Sequence, residues 1–378
     1  FPAKLVHGHI QNLVSKKVDI IFMPMIMNMP PKDTENKSNF VCAVVKGYPL
    51  VIHNQENPTR RWNVRFENPM FHWYSEKDRL IQLSAYMEKT FGIKASIVKA
   101  AFKQGMDAME EFRRTLVEAG TKIREKAKAE GKYAVVLAGR PYHTDALVSH
   151  DLSRVFTKEG IPVLTVDSLE CLEAQDLRYT RAEVTNNFHT RMLSGALISA
   201  RSPELEYAQI VSFGCGHDAI LSDEIIRITK EVSSKSPLIL KMDEGGAANS
   251  LGIRVKSFIE TINERRKRND KNLEEIRELT DAYPAKFYRE DLKVKTVLVP
   301  NVSVAFCKLL SAVLTRCGLK ADPLPLGSIN EIRLGKKYVH NDTCFPAQMV
   351  IGEAISTLQG GKYDPDKVAI GMAGKDLE

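Results

Sequence analysis

With 378 residues and 43% apolar content, the chain can bury two or three ordinary domain cores, and its composition excludes a disordered, collagenous or coiled-coil protein. The formal charge of +7 is spread out. Its densest run, Arg265-Arg266-Lys267-Arg268, reads as a solvated helix end rather than a nucleic-acid contact. No apolar run is long enough to span a bilayer, and six cysteines without CxxC pairs argue against structural zinc and a disulfide framework.

The chain opens Phe1-Pro2-Ala3-Lys4-Leu5-Val6-His7-Gly8, a helix start with Pro at its first position, and Val18 to Met25 follows as a predicted strand. Asn28 to Tyr74 is rich in loop signals, and ordered loops of that length tend to carry function. Within it, the apolar segment Phe40 to Val45 around Cys42 reads as a strand. Val98, Phe102, Met106, Met109, Phe112, Leu116 and Ile123 form one stripe on a long helix, a core-packing pattern.

From Tyr133 strands and helices alternate. Strands are predicted at Tyr133 to Ala138, Ile161 to Val166, Gln209 to Phe213 and Leu238 to Met242, with helices at Leu147 to Lys158, Ala219 to Val232 and Leu251 to Arg266. Short buried runs separated by helices predict parallel sheets covered on both faces. After the charged stretch Lys267 to Asp291 the pattern resumes with strand Thr296 to Pro300, helix Val304 to Cys317, strand Ala321 to Leu324 and strand Lys367 to Met372. The expected fold is therefore α/β, with two or three Rossmann-like (flavodoxin-like) parallel-sheet domains and a helical extension. The expected domains are residues 1–131, 132–284 and 285–378.

Asn341-Asp342-Thr343-Cys344 runs into Phe345-Pro346-Ala347-Gln348-Met349-Val350-Ile351-Gly352, which matches the chain's opening at five of eight positions. A cysteine just ahead of a helix sits where the dipole favours a thiolate, the form that binds metal. By this repeat, a matching cysteine is expected immediately before Phe1, and the chain is expected to be a fragment of a larger iron or redox protein. Cys215, in Ser212-Phe213-Gly214-Cys215-Gly216-His217-Asp218, follows a buried strand, where open α/β sheets place ligands. Gly214 and Gly216 allow close backbone approach and leave amides for sulfur. The alternative at Cys215 is a turn with a half-buried thiol. Cys307 and Cys317 read as helix packing, and Cys171 as structural.

The loop Gly139-Arg140-Pro141-Tyr142-His143-Thr144-Asp145 ends the first central strand. Arg140 suits an anionic ligand and His143 proton transfer, against the plainer reading of a capped turn. Asp243-Glu244-Gly245-Gly246 ends another strand, with Arg254 placed to pair with that acid. No GxGxxG, Walker A, HExxH or GxSxG element is present, which disfavours dinucleotide binding, ATP hydrolysis and serine hydrolase chemistry.

Taken together, FPAKLVHGHI, VDIIFMP, VCAVVKGYP, AGRPYHTD, SFGCGHDA, LKMDEGGA and YVHNDTCFPAQMVIGEA resemble the activase-related proteins of the 2-hydroxyacyl-CoA dehydratase superfamily, which also holds benzoyl-CoA reductase subunits and double-cubane cluster proteins. The resemblance implies Cys42, Cys215 and Cys344 as ligands of an iron–sulfur cluster, [4Fe–4S] or larger, with further cysteines before Phe1 and beyond Glu378. Without those flanks the fragment is expected to bind the cluster poorly or not at all. Gly214, Gly216 and Asn341 would lie beside the cofactor, and Arg140, Tyr142 and His143 on the substrate side. The implied function is a redox component that receives low-potential electrons from an ATP-dependent activator and passes them to an acyl-CoA, in dehydration or a related reduction. The implied setting is the cytoplasm of an anaerobic bacterium, with a homodimer admitted and with neither nucleic acid nor membrane as a partner. The rival reading is a non-catalytic docking or small-molecule-binding module that keeps the fold.

Overall fold

The computed structural model describes residues 2–29, 41–181, 186–212, 215–242, 248–268, 276–340 and 343–372. Contacts divide the chain into two compact units, residues 1–212 with 224–282, and residues 213–223 with 283–378.

The first unit begins with α1 (Pro2–Ser15), β1 (Ile20–Phe22), β2 (Met25–Asn28), α2 (Ala43–Gln55), α3 (Pro58–Trp62), β3 (Arg65–Glu67) and β4 (Met70–His72). β1 pairs in parallel with β3 and β2 with β4. The single strand predicted over Val18 to Met25 is thus two. Pro24 has no N–H to donate, and ladder-like bonds resume on either side of it, from Met23 N to Glu67 O and from Met25 N to Pro69 O. Ile10, Ile21, Ile52 and Val64 form the local core.

The stretch expected to be loops contains α2, and Cys42 caps that helix instead of lying in a strand. The β-branched run Val41, Val44, Val45 has strand propensity. Burial of Tyr48 and Ile52, four residues apart on one helical face, decides otherwise.

Two long helices follow, α4 (Glu76–Phe91) and α5 (Ala95–Ala129). Ser75 caps α4 by accepting from Asp78 N, and Gly92 ends it at φ 68°. The apolar stripe of α5 is only partly used. Val98 is buried, but Met109 and Phe112 are 49% and 61% exposed, so the core-packing expectation fails at mid-helix.

The central sheet is built from β5 (Ala134–Ala138), α6 (Ala146–Ser149), α7 (Leu152–Lys158), β6 (Val163–Thr165), α8 (Asn187–Arg201), β7 (Leu205–Ser212), α9 (Gly216–Ser233), β8 (Leu238–Met242) and α10 (Ala248–Lys267). Its order is β6-β5-β7-β8, parallel throughout, and all eight residues of β7 are buried. On one face Val135, Ala208, Ile210 and Leu240 pack with Leu152 and Phe156 of α7 and Val255 and Ile262 of α10. On the other, Tyr207 donates from its hydroxyl to the Met192 carbonyl of α8 at 2.7 Å. The fold is α/β with helices on both faces. The helix predicted over Leu147 to Lys158 is broken in two, because His150 and Asp151 adopt left-handed φ of 51° and 54°.

The second unit contains α11 (Asp291–Val294), β9 (Thr296–Val299), α12 (Val304–Arg316), β10 (Lys320–Pro323), α13 (Ile329–Gly335), α14 (Phe345–Gln359) and β11 (Val368–Ile370). Its sheet is parallel in the order β10-β9-β11. Val297, Val299 and Cys307 form its core. The Cys307 thiol, pushed up by burial, donates to the Val299 carbonyl at 3.0 Å, which fits packing. Cys317 instead is exposed and caps the end of α12. α13 and α14 meet backbone to backbone. A Cβ at Gly335 would collide with the Gln348 carbonyl oxygen and one at Gly352 with that of Glu331.

Candidate functional site

In the first unit the carboxyl ends of β5 and β7 carry a polar cluster. The chain leaves β5 through Gly139, where a Cβ would stand 2.8 Å from His143 Nδ1, so only glycine lets the ring fold back this closely. A single helical turn, Pro141–Thr144, then brings Tyr142 and His143 back towards β7. Arg140 N–H donates to His143 Nδ1 at 3.0 Å. That bond leaves the imidazole proton on Nε2, which donates to Ser212 Oγ at 3.0 Å. Tyr142 Oη lies 3.0 Å from the same Ser212 Oγ and accepts from Arg140 Nη1 at 2.9 Å. Arg140 Nη2 faces His189 Nε2 at 3.3 Å.

Arg140, His143 and His189 are all buried. Burial first, and the Arg140 charge second, push His143 down to about 3. His143 is therefore a neutral hydrogen-bonding strut at physiological pH, which weighs against proton transfer, and its bond to Arg140 N–H is that of a capped turn.

Tyr48 joins this group from α2. Burial raises its phenol well above the ordinary range, Tyr142 and Cys42 raise it further, and Arg140 acts in the opposite direction. The phenol, the Cys42 thiol, Tyr142 and Arg140 thus share one electrostatic neighbourhood. Sequence reading found Arg140, Tyr142 and His143 but missed Tyr48, Ser212 and His189. His189, Met192, Leu193 and Ala196 share a buried face of α8, and a polar residue on such a face was the available signal.

In the second unit, two cysteines stand immediately before helices. The Cys215 carbonyl accepts from Ala219 N and opens α9, and Cys344 is the N-cap of α14, followed by Phe345 and Pro346. The two helix starts meet, since a Cβ at Gly216 would lie 3.7 Å from both the Cβ and the N of Cys344. Neither thiol is fully buried, and Cys344 makes no side-chain capping bond. Cys42 holds the same position at α2, again without a capping bond. The three cysteines singled out from the sequence therefore share one local geometry.

Gly214, Asn341 and the loop from Asp243 to Gly246 lie outside the described residues. Arg254 donates to the Ile239 carbonyl at 2.6 Å. Cys171 is exposed, at φ 55°.

Soft thiol donors at adjoining helix starts fit an iron–sulfur centre in kind. In number the second unit supplies two of them, and among the described residues no group of three or more His, Cys, Asp or Glu side chains is arranged to hold a metal ion. No helix among the described residues is long and apolar enough to cross a membrane.

No curated protein and no solved structure matches the chain. Residues 1–169, which include Cys42, Tyr48, Arg140, Tyr142 and His143, match the family model described as CoA enzyme activase uncharacterised domain (DUF2229), and this stretch is accordingly related to the activases of CoA enzymes.

Proposed function

We propose that the chain is an iron–sulfur redox component that takes low-potential electrons from an ATP-dependent activator and serves 2-hydroxyacyl-CoA dehydration or a related reduction. The observation that carries this reading is the meeting of two cysteine-capped helix starts, Cys215 at α9 and Cys344 at α14. The activase-related stretch at residues 1–169 supports it from the side of the partner.

When bound, the cluster would supply one-electron transfer at low potential. Cys215 and Cys344 would provide thiolates, and the amide-rich starts of α9 and α14 would favour the negative charge of a sulfide-bridged, thiolate-ligated group. Gly216 lies against Cys344, where a Cβ would make ordinary van der Waals contact. Cys42 stands at the start of α2 in the same local setting, as a third thiol to be tested.

Anaerobic incubation with ferrous iron and sulfide, followed by iron analysis and EPR after reduction, tests the proposal. We expect iron retention that falls by half or more in Cys215→Ser and Cys344→Ser, with Cys42→Ser deciding the role of the third thiol. A parent chain that carries the flanking cysteines yet retains no iron would reject the redox reading. It would leave the small-molecule-binding module, which the buried polar cluster of the first unit favours.

A further inference from the structure

The end of α13 gathers cations beside the helix start that carries Cys344. Arg333, Lys336 and Lys337, three and four residues apart, share one exposed face, because the helical turn runs on through bonds from Lys336 N to Ile332 O and from Lys337 N to Leu334 O. Among the described residues none of the three forms an ion pair. The one acid of α13, Glu331, accepts instead from Ser328 and Ser356. This face adjoins the second site. Gly335 rests on the Gln348 carbonyl, and Lys336 lines a recess of about 160 Å³ together with Val339, His340 and Gln348. Gln348, in the first turn of α14, donates from Nε2 at 2.7 Å to the carbonyl of Thr343, the residue before Cys344. Tyr338, next to Lys337, is 61% exposed, and Phe345, next to Cys344, 57%.

We infer that this surface docks an acidic electron-carrier protein, with Arg333, Lys336 and Lys337 steering it in and Tyr338 and Phe345 making the apolar contact. Exposed cations attract an oppositely charged partner from a distance, and aromatic residues within such a patch supply affinity. A second copy of the chain is a poor occupant, because a two-fold contact through this face would set three cations against three. Three cations also fall short of the roughly six to ten phosphate contacts of a DNA-binding surface and the roughly four to eight basic residues of a lipid-binding cluster. That the partner is acidic follows from the charges alone; that it delivers electrons rests on the redox reading of Cys344.

The probe is a small acidic ferredoxin, titrated by calorimetry into the full chain both iron-free and after incubation with iron and sulfide. Binding should be saturable and should weaken about tenfold or more as salt rises from about 0.01 to about 0.15 M. Arg333→Gln, Lys336→Gln and Lys337→Gln combined should weaken it about tenfold or more at low salt, and Lys337→Gln alone about threefold, so that a misfolded triple variant cannot hide the effect. Lys308→Gln, which removes an exposed cation from α12 of the same unit, should leave the affinity unchanged. Carbodiimide coupling should join Lys336 or Lys337 to a carboxylate of the ferredoxin. No binding at low salt would overturn the surface. So would unchanged affinity in Lys337→Gln, equal weakening in Lys308→Gln, or tighter binding of a short DNA duplex or of phosphatidylserine vesicles. A chain that binds ferredoxin yet retains no iron would uphold the surface and reject the redox reading, and one that retains iron yet binds no ferredoxin would do the reverse.

Discussion

The polar cluster of the first unit and the cysteine pair of the second are both built where the chain turns into a helix, yet different forces hold them. Arg140, Tyr142, His143 and Ser212 are bound to one another, and all but the half-buried Tyr142 are buried, so their geometry is set by folding. The starts of α9 and α14, which carry Cys215 and Cys344, adjoin at Gly216, and Cys344 is exposed without a capping bond. Folding places their backbones, and the exposed Cys344 thiol is left to be fixed by what it binds. A site of the first kind registers damage as lost stability, and one of the second kind as lost ligand.

The largest effect should come from breaking the packing that carries the second site. Gly352→Val drives a side chain into the Glu331 carbonyl where α14 crosses α13, and should destabilise the second unit by more than about 4 kcal/mol. Hydrogen exchange should then show α13 and α14 unprotected while β5 and β7 stay protected. Equal loss in both sheets would mean that the two units unfold as one.

A smaller effect isolates the first site. His143 is held down to about 3 from an unfolded value of 6.5, so between those pH values the unfolded chain binds more protons. The stability it contributes is complete above pH 6.5 and drains away on acidification, at up to about 1.4 kcal/mol per pH unit. By pH 5 this amounts to about 2 kcal/mol. In His143→Gln, which can accept from Arg140 N–H and donate to Ser212, chemical denaturation across pH 7 to 5 should lose this dependence. An unchanged slope would assign the acid sensitivity elsewhere.

The smallest effect separates ligand from scaffold at the second site. Serine is the better N-cap, so Cys344→Ser should shift the stability of the iron-free protein by no more than about 0.5 kcal/mol, in the favourable direction. A loss of 2 kcal/mol or more in urea unfolding would make Cys344 a structural residue and blur the contrast between the two sites.

Much of the scaffold was legible beforehand because buried parallel strands are short, apolar and punctuated. β5 and β8 lie within a residue of where their apolar runs predicted, whereas β7 begins at Leu205 rather than Gln209. Glu206, buried and ion-paired with Arg265 of α10, hid the beginning of that strand, since a carboxylate in a core is readable only once its partner is known. Cys344 announced its position through the Pro that follows it. Cys42 did not, because its β-branched neighbours imitate a strand and only long-range burial of Tyr48 and Ile52 makes the segment helical. Tyr48, Ser212 and His189 escaped for a related reason. Each is an ordinary residue in its own segment and becomes distinctive only beside Arg140 and Tyr142.

The doubled motif has a last consequence for how the chain tolerates change. Its glycine recurs as Gly8 and Gly352, but a methyl group at Gly8 would meet nothing within 4 Å, whereas at Gly352 it would strike backbone. Packing therefore polices one copy and leaves the other at liberty. Variants accumulating under selection for folding alone would erode the resemblance from the first copy inward, and the two halves would drift apart in spelling long before they parted in shape.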